Sequence, residues 1–209
     1  MSKGEHPKSL IVLGIYLVVL VVSFVLIRPE YARSLRIAEA KGAVSLLGAD
    51  RVVASVKAGN AIFDAIFRDS GMIDWSYRTA NESREGSAPL YNRDKVANSM
   101  LAKTNAFWEM CRVAVQRVVF LFFWVPVLIP FIVAALIDGT VAREIRKWRF
   151  QFTSTTIYNH ARRLAGLGVF AILLLPVLPV PMPILIYPVV CMLVVALAWA
   201  SIANMQKRI

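Results

Sequence analysis

The chain of 209 residues has two cysteines, two histidines and 13 acidic side chains. Two cysteines are too few for the disulfide framework that holds small secreted domains together. They stand at Cys111 and Cys191, in segments that the topology below separates, so no bridge between them is expected. His6 and His160 each lack a second His or Cys at ligand spacing, so no metal site is expected. There is no phosphate loop, dinucleotide fingerprint, nucleophile elbow or zinc-protease motif, and neither an enzyme nor a cofactor is expected. The widest gap is in charge. Leu10–Ile27, Val118–Ile137 and Leu164–Met205 contain no Asp, Glu, Lys or Arg.

Those gaps are filled with apolar residues, which make up 58% of the chain; a soluble domain has roughly 45–50%. A hydrocarbon core of ~30 Å takes about 20 helical residues, so each gap is long enough to span a bilayer. An ordinary cytosolic enzyme and a disordered tail are excluded. The fold class that follows is all-α: a polytopic membrane protein with about four transmembrane helices.

The first run, Leu10–Ile27, is 18 residues long and stops at Arg28-Pro29-Glu30 rather than at a small-residue cleavage site. It reads as an uncleaved signal anchor. The second, Val118–Ile137, carries Pro126 and Pro130 four residues apart. Each removes a backbone hydrogen bond, which predicts a kink whose freed carbonyls neighbouring helices must cover. A hinge or solvated groove is the alternative there. The third run has 42 residues and would be ~63 Å long as one helix, about twice the bilayer core. It must turn back. Five of the ten prolines fall in Pro176–Pro188 and mark the turn, giving a hairpin with arms beginning at Leu164 and spanning Ile184–Ala203. The first arm is short, so a re-entrant hairpin is the alternative to a fully spanning one.

Lysine and arginine in short loops set the orientation. The flank before the first run has Lys3 and Lys8, the segment 138–163 has six basic residues, and the tail has Lys207 and Arg208. Four spans put all three on one side, the cytoplasm. The segment 28–117 carries 14 basic and 10 acidic residues and goes outside, as long loops do largely regardless of charge. The expected organisation is therefore 1–27 (cytoplasmic N-terminus and first helix), 28–117 (helical extracytoplasmic insertion), 118–137 (second helix), 138–163 (basic cytoplasmic loop) and 164–209 (proline-rich hairpin and cytoplasmic tail).

Within the insertion, Val52, Val56, Phe63, Ile66 and Phe67 share one face of a helix over Val52–Phe67. From Val96 a second helix carries Met100, Phe107, Cys111, Ala114 and Val118 along one face and runs into the second span; unbroken, it would be ~60 Å long. Gly71–Leu90 between them is polar and turn-rich and is expected to be a mobile loop. The basic loop has its own pattern: Val141, Ile145, Trp148 and Phe152 fall within about 40° on a helical wheel. Asp138 is expected to end the second span and cap this helix, with Gly139 permitting a sharp turn. Arg143, Arg146 and Lys147 point away from the stripe and Arg149 flanks it, and His160, Arg162 and Arg163 open the third span. These residues, with Trp148, suit anionic headgroups, an acidic cytoplasmic partner or nucleic acid, which basic charge alone does not separate.

The order of features over Trp124–Arg163 carries a resemblance. A proline-broken span is followed by Asp138-Gly139, then Arg143-x-Ile145-Arg146-Lys147, then Tyr158-x-His160-Ala161-Arg162-Arg163. This resembles the integrating conjugative element membrane protein family, inner-membrane proteins encoded among conjugative-transfer genes. The resemblance implies a bacterial inner-membrane accessory or docking subunit of a type IV-like DNA-transfer apparatus. Its partners would be the lipid bilayer, other transfer-system membrane proteins and the coupling ATPase; direct contact with nucleic acid is not expected, and oligomeric state stays open. Two alternatives from other classes remain: a small transporter or channel built on the Pro126/Pro130 break, and an exclusion or sensing factor using the outer segment.

Overall fold

The computed structural model describes residues 28–85, 93–149 and 154–205 together with Gly14, Leu17 and Val18, with the backbone alone for 83–85 and 93–96. The expected first span thus lies, apart from those three residues, outside the described ones, as does Phe152. Every described element is helical: α1 Pro29–Leu47, α2 Ala49–Phe63, a π-helical turn Asp64–Arg68, α3 Met72–Glu85, α4 Arg93–Trp148, α5 Thr155–Leu174, a 3-10 turn Leu175–Val177 and α6 Ile186–Ala203. Three helical stretches are long and apolar enough to cross a membrane: Ala97–Trp148, Thr155–Val177 and Ile186–Ala203.

The chain divides into two compact units, Met1–Phe120 with Pro176–Ile184, and Leu121–Leu175 with Leu185–Ile209. In the first, Pro29 sits in the opening turn of α1, where its missing N–H costs nothing and its fixed φ suits the helix. Gly48, at φ +83°, separates α1 from α2 and donates its N–H to the Val44 carbonyl at 3.0 Å. That left-handed C-terminal position favours glycine.

α2 buries Val52 and Phe63 of the expected face, but with Ser55 and Gly59 in place of the others. Ile66 is exposed and Val56 and Phe67 are half-buried. The reason is close packing. A Cβ on Gly59 would lie 2.7 Å from Gln116 Oε1 of α4, so the small residues face inward because only they admit that approach. The expected mobile loop is corrected as well: from Met72 to Glu85 it is α3. Gly71 makes the turn at φ +75°, and Trp108 Nε1 donates to Ser76 Oγ at 2.9 Å, tying α3 to α4. The remainder of that expected loop, 86–90, lies outside the described residues.

α4 is a single helix of 56 residues, ~84 Å long. It runs through Pro126 and Pro130, both exposed, and also through Asp138-Gly139. The expected cap and sharp turn at Asp138-Gly139 are therefore absent. Asp138 instead accepts a hydrogen bond from Trp199 Nε1 at 2.7 Å, and Gly139 is buried where a Cβ would meet Ile202 and Trp199 side chains at 3.3 Å. The residue pair that looked like a helix end is a helix-packing site. In its first half α4 buries Ala97, Ala106, Trp108, Met110 and Val113 rather than the face expected through Met100 and Val118, which are exposed. The α1–α3 helices pack there and choose a different side.

In the second unit α5 and α6 are partners. Ser154 caps α5 by accepting from the Ile157 N–H, so the first arm begins about two turns before Leu164. Gly168 of α5 meets Val194 of α6 so closely that a Cβ would lie 2.4 Å from Val194 Cγ2. At ~1.5 Å per residue the 20-residue α5 and 18-residue α6 are each close to a bilayer core in length.

Candidate functional site

Three clusters of polar chemistry stand out. The first is the basic end of α4 and the start of α5, where the sequence places its candidate residues. Trp148 is 83% exposed and Val141 and Ile145 are also exposed, while Arg143 and Arg146 are half-buried. The helix thus turns its apolar stripe outward and two arginines inward, the reverse of a soluble amphipathic helix. Arg146 donates to the Ala203 carbonyl at 3.1 Å and to Asn204 Oδ1 at 2.7 Å. A cation on the last carbonyls of α6 satisfies orphan acceptors and complements the helix dipole. Arg146 is thereby committed to the fold. Arg143 Nε is enclosed without a hydrogen bond. Lys147 pairs with Glu144, and Arg149 is exposed. In α5, His160 and Arg163 are exposed, and the Arg162 guanidinium lies 5.9 Å from the Tyr158 ring centroid.

The second cluster was not marked by the sequence. Arg117 is wholly buried. Its Nε and Nη2 donate to the two carboxylate oxygens of Glu39 at 3.1 and 2.6 Å, a bidentate fork. Its remaining donors reach the carbonyls of Pro176 (3.2 Å), Leu178 and Val180 (2.7 Å). Glu39 Oε1 also accepts from the Met182 N–H at 3.0 Å, and Tyr31 donates its hydroxyl to the Pro179 carbonyl. Proline cannot donate and a proline-rich strap cannot form its own helix, so its carbonyls need outside donors. Arg117 supplies them. The turn of the expected hairpin is therefore a built element, Pro176–Ile184, nailed to α1 and α4.

The third cluster is a cleft of about 490 Å³ among α1–α4, lined by Arg33, Arg112, Glu109, Phe63, Tyr77 and Trp108 among others. Phe63 and Trp108 line it edge-to-face at 6.2 Å, and Phe67 and Phe107 pack against these rings. Burial pushes the Tyr77 phenol above its usual range; nearby Arg112 opposes that shift and Glu109 adds to it. Tyr77 hydrogen-bonds Asn105 and is a neutral donor at pH 7. Among the described residues no group of three or more His, Cys, Asp or Glu could hold a metal ion, and both Cys111 and Cys191 are free thiols.

Among the described residues, Arg146 is the expected docking residue whose side chain is hydrogen-bonded to another helix. Arg117 and Glu39 were missed because each looks like one charge among many in a mixed-charge segment. The available signal was the strap itself: a run of prolines with few N–H groups demands a donor from elsewhere.

Compared with known proteins, residues 32–206 match the model of the family described as IncC plasmid conjugative DNA transfer protein DtrJ-like. No curated protein and no solved structure matches. The match covers most of the chain and bears out the conjugative part of the resemblance seen over Trp124–Arg163. This all-helical chain belongs to the DtrJ-like family of conjugative DNA transfer proteins.

Proposed function

We propose that the protein is a non-enzymatic, multi-pass subunit of the bacterial inner membrane that serves conjugative DNA transfer by docking other components of the apparatus. The observation that carries the membrane part is a changeover along α4. Val113, Val119 and Phe120 are buried in the first unit, whereas beyond them Phe122, Val127, Ile129, Phe131, Val133 and Ile137 are all 46–67% exposed. A soluble protein rarely leaves so large a contiguous apolar surface uncovered. In lipid it costs nothing, and the outward stripe Val141-Ile145-Trp148 with inward arginines belongs to the same surroundings.

In this reading the termini are cytoplasmic, residues 28–117 lie outside, and the exposed cations Lys147, Arg149, Arg162 and Arg163 form the cytoplasmic docking surface, with the coupling ATPase as the expected partner. Arg146 is left out of that surface because its guanidinium holds α6. The test is co-purification from detergent-solubilised membranes of a transfer-proficient strain. Wild type is expected to bring down transfer-system components, and reversal of the four exposed cations to glutamate is expected to lose them while the protein stays in the membrane fraction. Retention of the same partners by the charge-reversed protein would overturn the docking surface. Recovery in the soluble fraction would overturn the membrane reading.

A further inference from the structure

In the first unit, contacts at several levels fix the direction in which α1 and α2 run along α4. On α1, Arg33 and Arg36 reach Glu109, and Glu39, further on, pairs with Arg117. The contacts advance together on both helices, so α1 runs parallel to α4. On α2 the order is reversed. Gly59 lies against Gln116, and Phe63, further on, meets Arg112 and Trp108. The tip between the two helices, residues 44–53 with Gly48 at its turn, therefore extends past Arg117 in the direction in which α4 continues to Val118 and Phe120.

That tip carries an unusual surface for a segment in water. Val44, Leu46 and Val53 are 42%, 49% and 60% exposed, and Lys41, Asp50 and Arg51 around them are exposed as well. A single exposed apolar residue needs no explanation. Three about one turn, ringed by charges with long apolar stems, suit the boundary between lipid headgroups and hydrocarbon.

Two independent features place that boundary near Arg117. One is α4, whose charge-free run begins at the next residue, Val118. The other is the strap. It joins the apolar stretches Thr155–Val177 and Ile186–Ala203, so in a chain that crosses a bilayer it marks where the hairpin emerges. Arg117 holds its Pro176 and Val180 carbonyls, and Glu39 holds its Met182 N–H. Past Glu39, α1 continues five residues to Val44 and seven to Leu46, ~7.5 and ~10 Å along the helix. A headgroup layer is ~5–8 Å deep on each side of the ~30 Å hydrocarbon core. The tip is long enough to cross that layer and no more.

We infer that the α1–α2 tip enters the outer leaflet of the bilayer, with Val44, Leu46 and Val53 at the base of the headgroup layer and Lys41 and Arg51 within reach of lipid phosphates. Asp50, in the first turn of α2, and Arg51 are too costly to carry deeper, so the contact is interfacial and not a further span. The inference rests on the reading that α4 and the hairpin cross a bilayer.

The experiment places an environment-sensitive fluorophore on single cysteines in the full chain, with Cys111 and Cys191 replaced, reconstituted in phosphatidylcholine–phosphatidylglycerol vesicles. The sites are Leu46→Cys, Val53→Cys, Ser70→Cys and Ile129→Cys. Ser70 is exposed in the turn beyond the far end of α2, and Ile129 reports on α4. Lipids spin-labelled near the headgroup or deep in the acyl chain quench from the membrane, and iodide quenches from water. Labels at Leu46 and Val53 are expected to be blue-shifted from that at Ser70, to lose emission to the shallow spin label and to be spared by iodide. Ser70 should show the reverse, and Ile129 should respond to the deep spin label. If Ile129 does so while Leu46 and Val53 respond to iodide as Ser70 does, the inference alone fails. It fails alone too if the tip is shielded from both kinds of quencher, as a second copy or another protein covering it would produce. An Ile129 label open to iodide sinks both the inference and the membrane reading beneath it.

Discussion

Replacing Arg117 by methionine tests the central packing of the first unit. The side chain is fully buried and Glu39 beside it is 8% exposed. The substitution keeps much of the volume but strands a buried carboxylate and removes the donors to the carbonyls of Pro176, Leu178 and Val180. Breaking a buried ion pair by removing one partner costs about 3–5 kcal/mol. Each uncovered carbonyl adds about 1–3 kcal/mol less whatever water recovers, and the contributions do not sum because they share one guanidinium. The local readout is the Met182 amide, which donates to Glu39. A loss of about 3 kcal/mol in local opening free energy should speed its hydrogen exchange about a hundredfold. Double replacement Arg117→Met/Glu39→Leu separates the two roles. If Arg117 served only Glu39, an apolar pair would restore much of the stability; because it also serves the strap, the double variant should stay close to the Arg117→Met single variant. Unchanged Met182 exchange in Arg117→Met would refute the reasoning.

Other expectations follow from the same geometry. Gly168→Ala should cost about 1–3 kcal/mol through overpacking against Val194, whereas Gly166→Ala, with open space around its Cβ, should stabilise by about 0.5–1 kcal/mol; thermal unfolding in detergent compares them. Arg146→Gln should loosen the end of α6, with faster hydrogen exchange at Asn204 and Met205 and a loss of about 1–3 kcal/mol, because the carbonyl of Ala203 loses its cationic donor. Reversal of Lys147, Arg149, Arg162 and Arg163 should lower DNA-transfer frequency in a mating assay while leaving that unfolding midpoint unmoved, since none of the four holds another helix.

The helical class and the apolar lengths were legible because charge-free runs are a one-dimensional signal. Helical faces were less so. On α2 the apolar residues pointed to Ile66 and Phe67, yet Ser55 and Gly59 make the contact, since closeness of approach to Gln116 outweighs hydrophobicity there. Asp138-Gly139 has the composition of a helix boundary, and only the presence of Trp199 and Ile202 across from it makes it helix interior. The basic cluster around Arg143–Arg149 was visible as charge, but the commitment of Arg146 to α6 depends on a partner 57 residues away. Arg117 and the arginines about Glu109 were invisible for the same reason: their meaning lies in contacts between α1 and α4, 76–78 residues apart in sequence.

A nitroxide scan along α4 in lipid bilayers, in a chain whose Cys111 and Cys191 are replaced, measures directly whether the changeover at Val118 marks the lipid boundary. Labels at Phe122, Ile129 and Val133 should show high collision rates with oxygen and low rates with a water-soluble nickel chelate, and labels at Ser99 and Lys103 the reverse. Water-like accessibility at Phe122 and Ile129 would contradict a membrane-embedded α4.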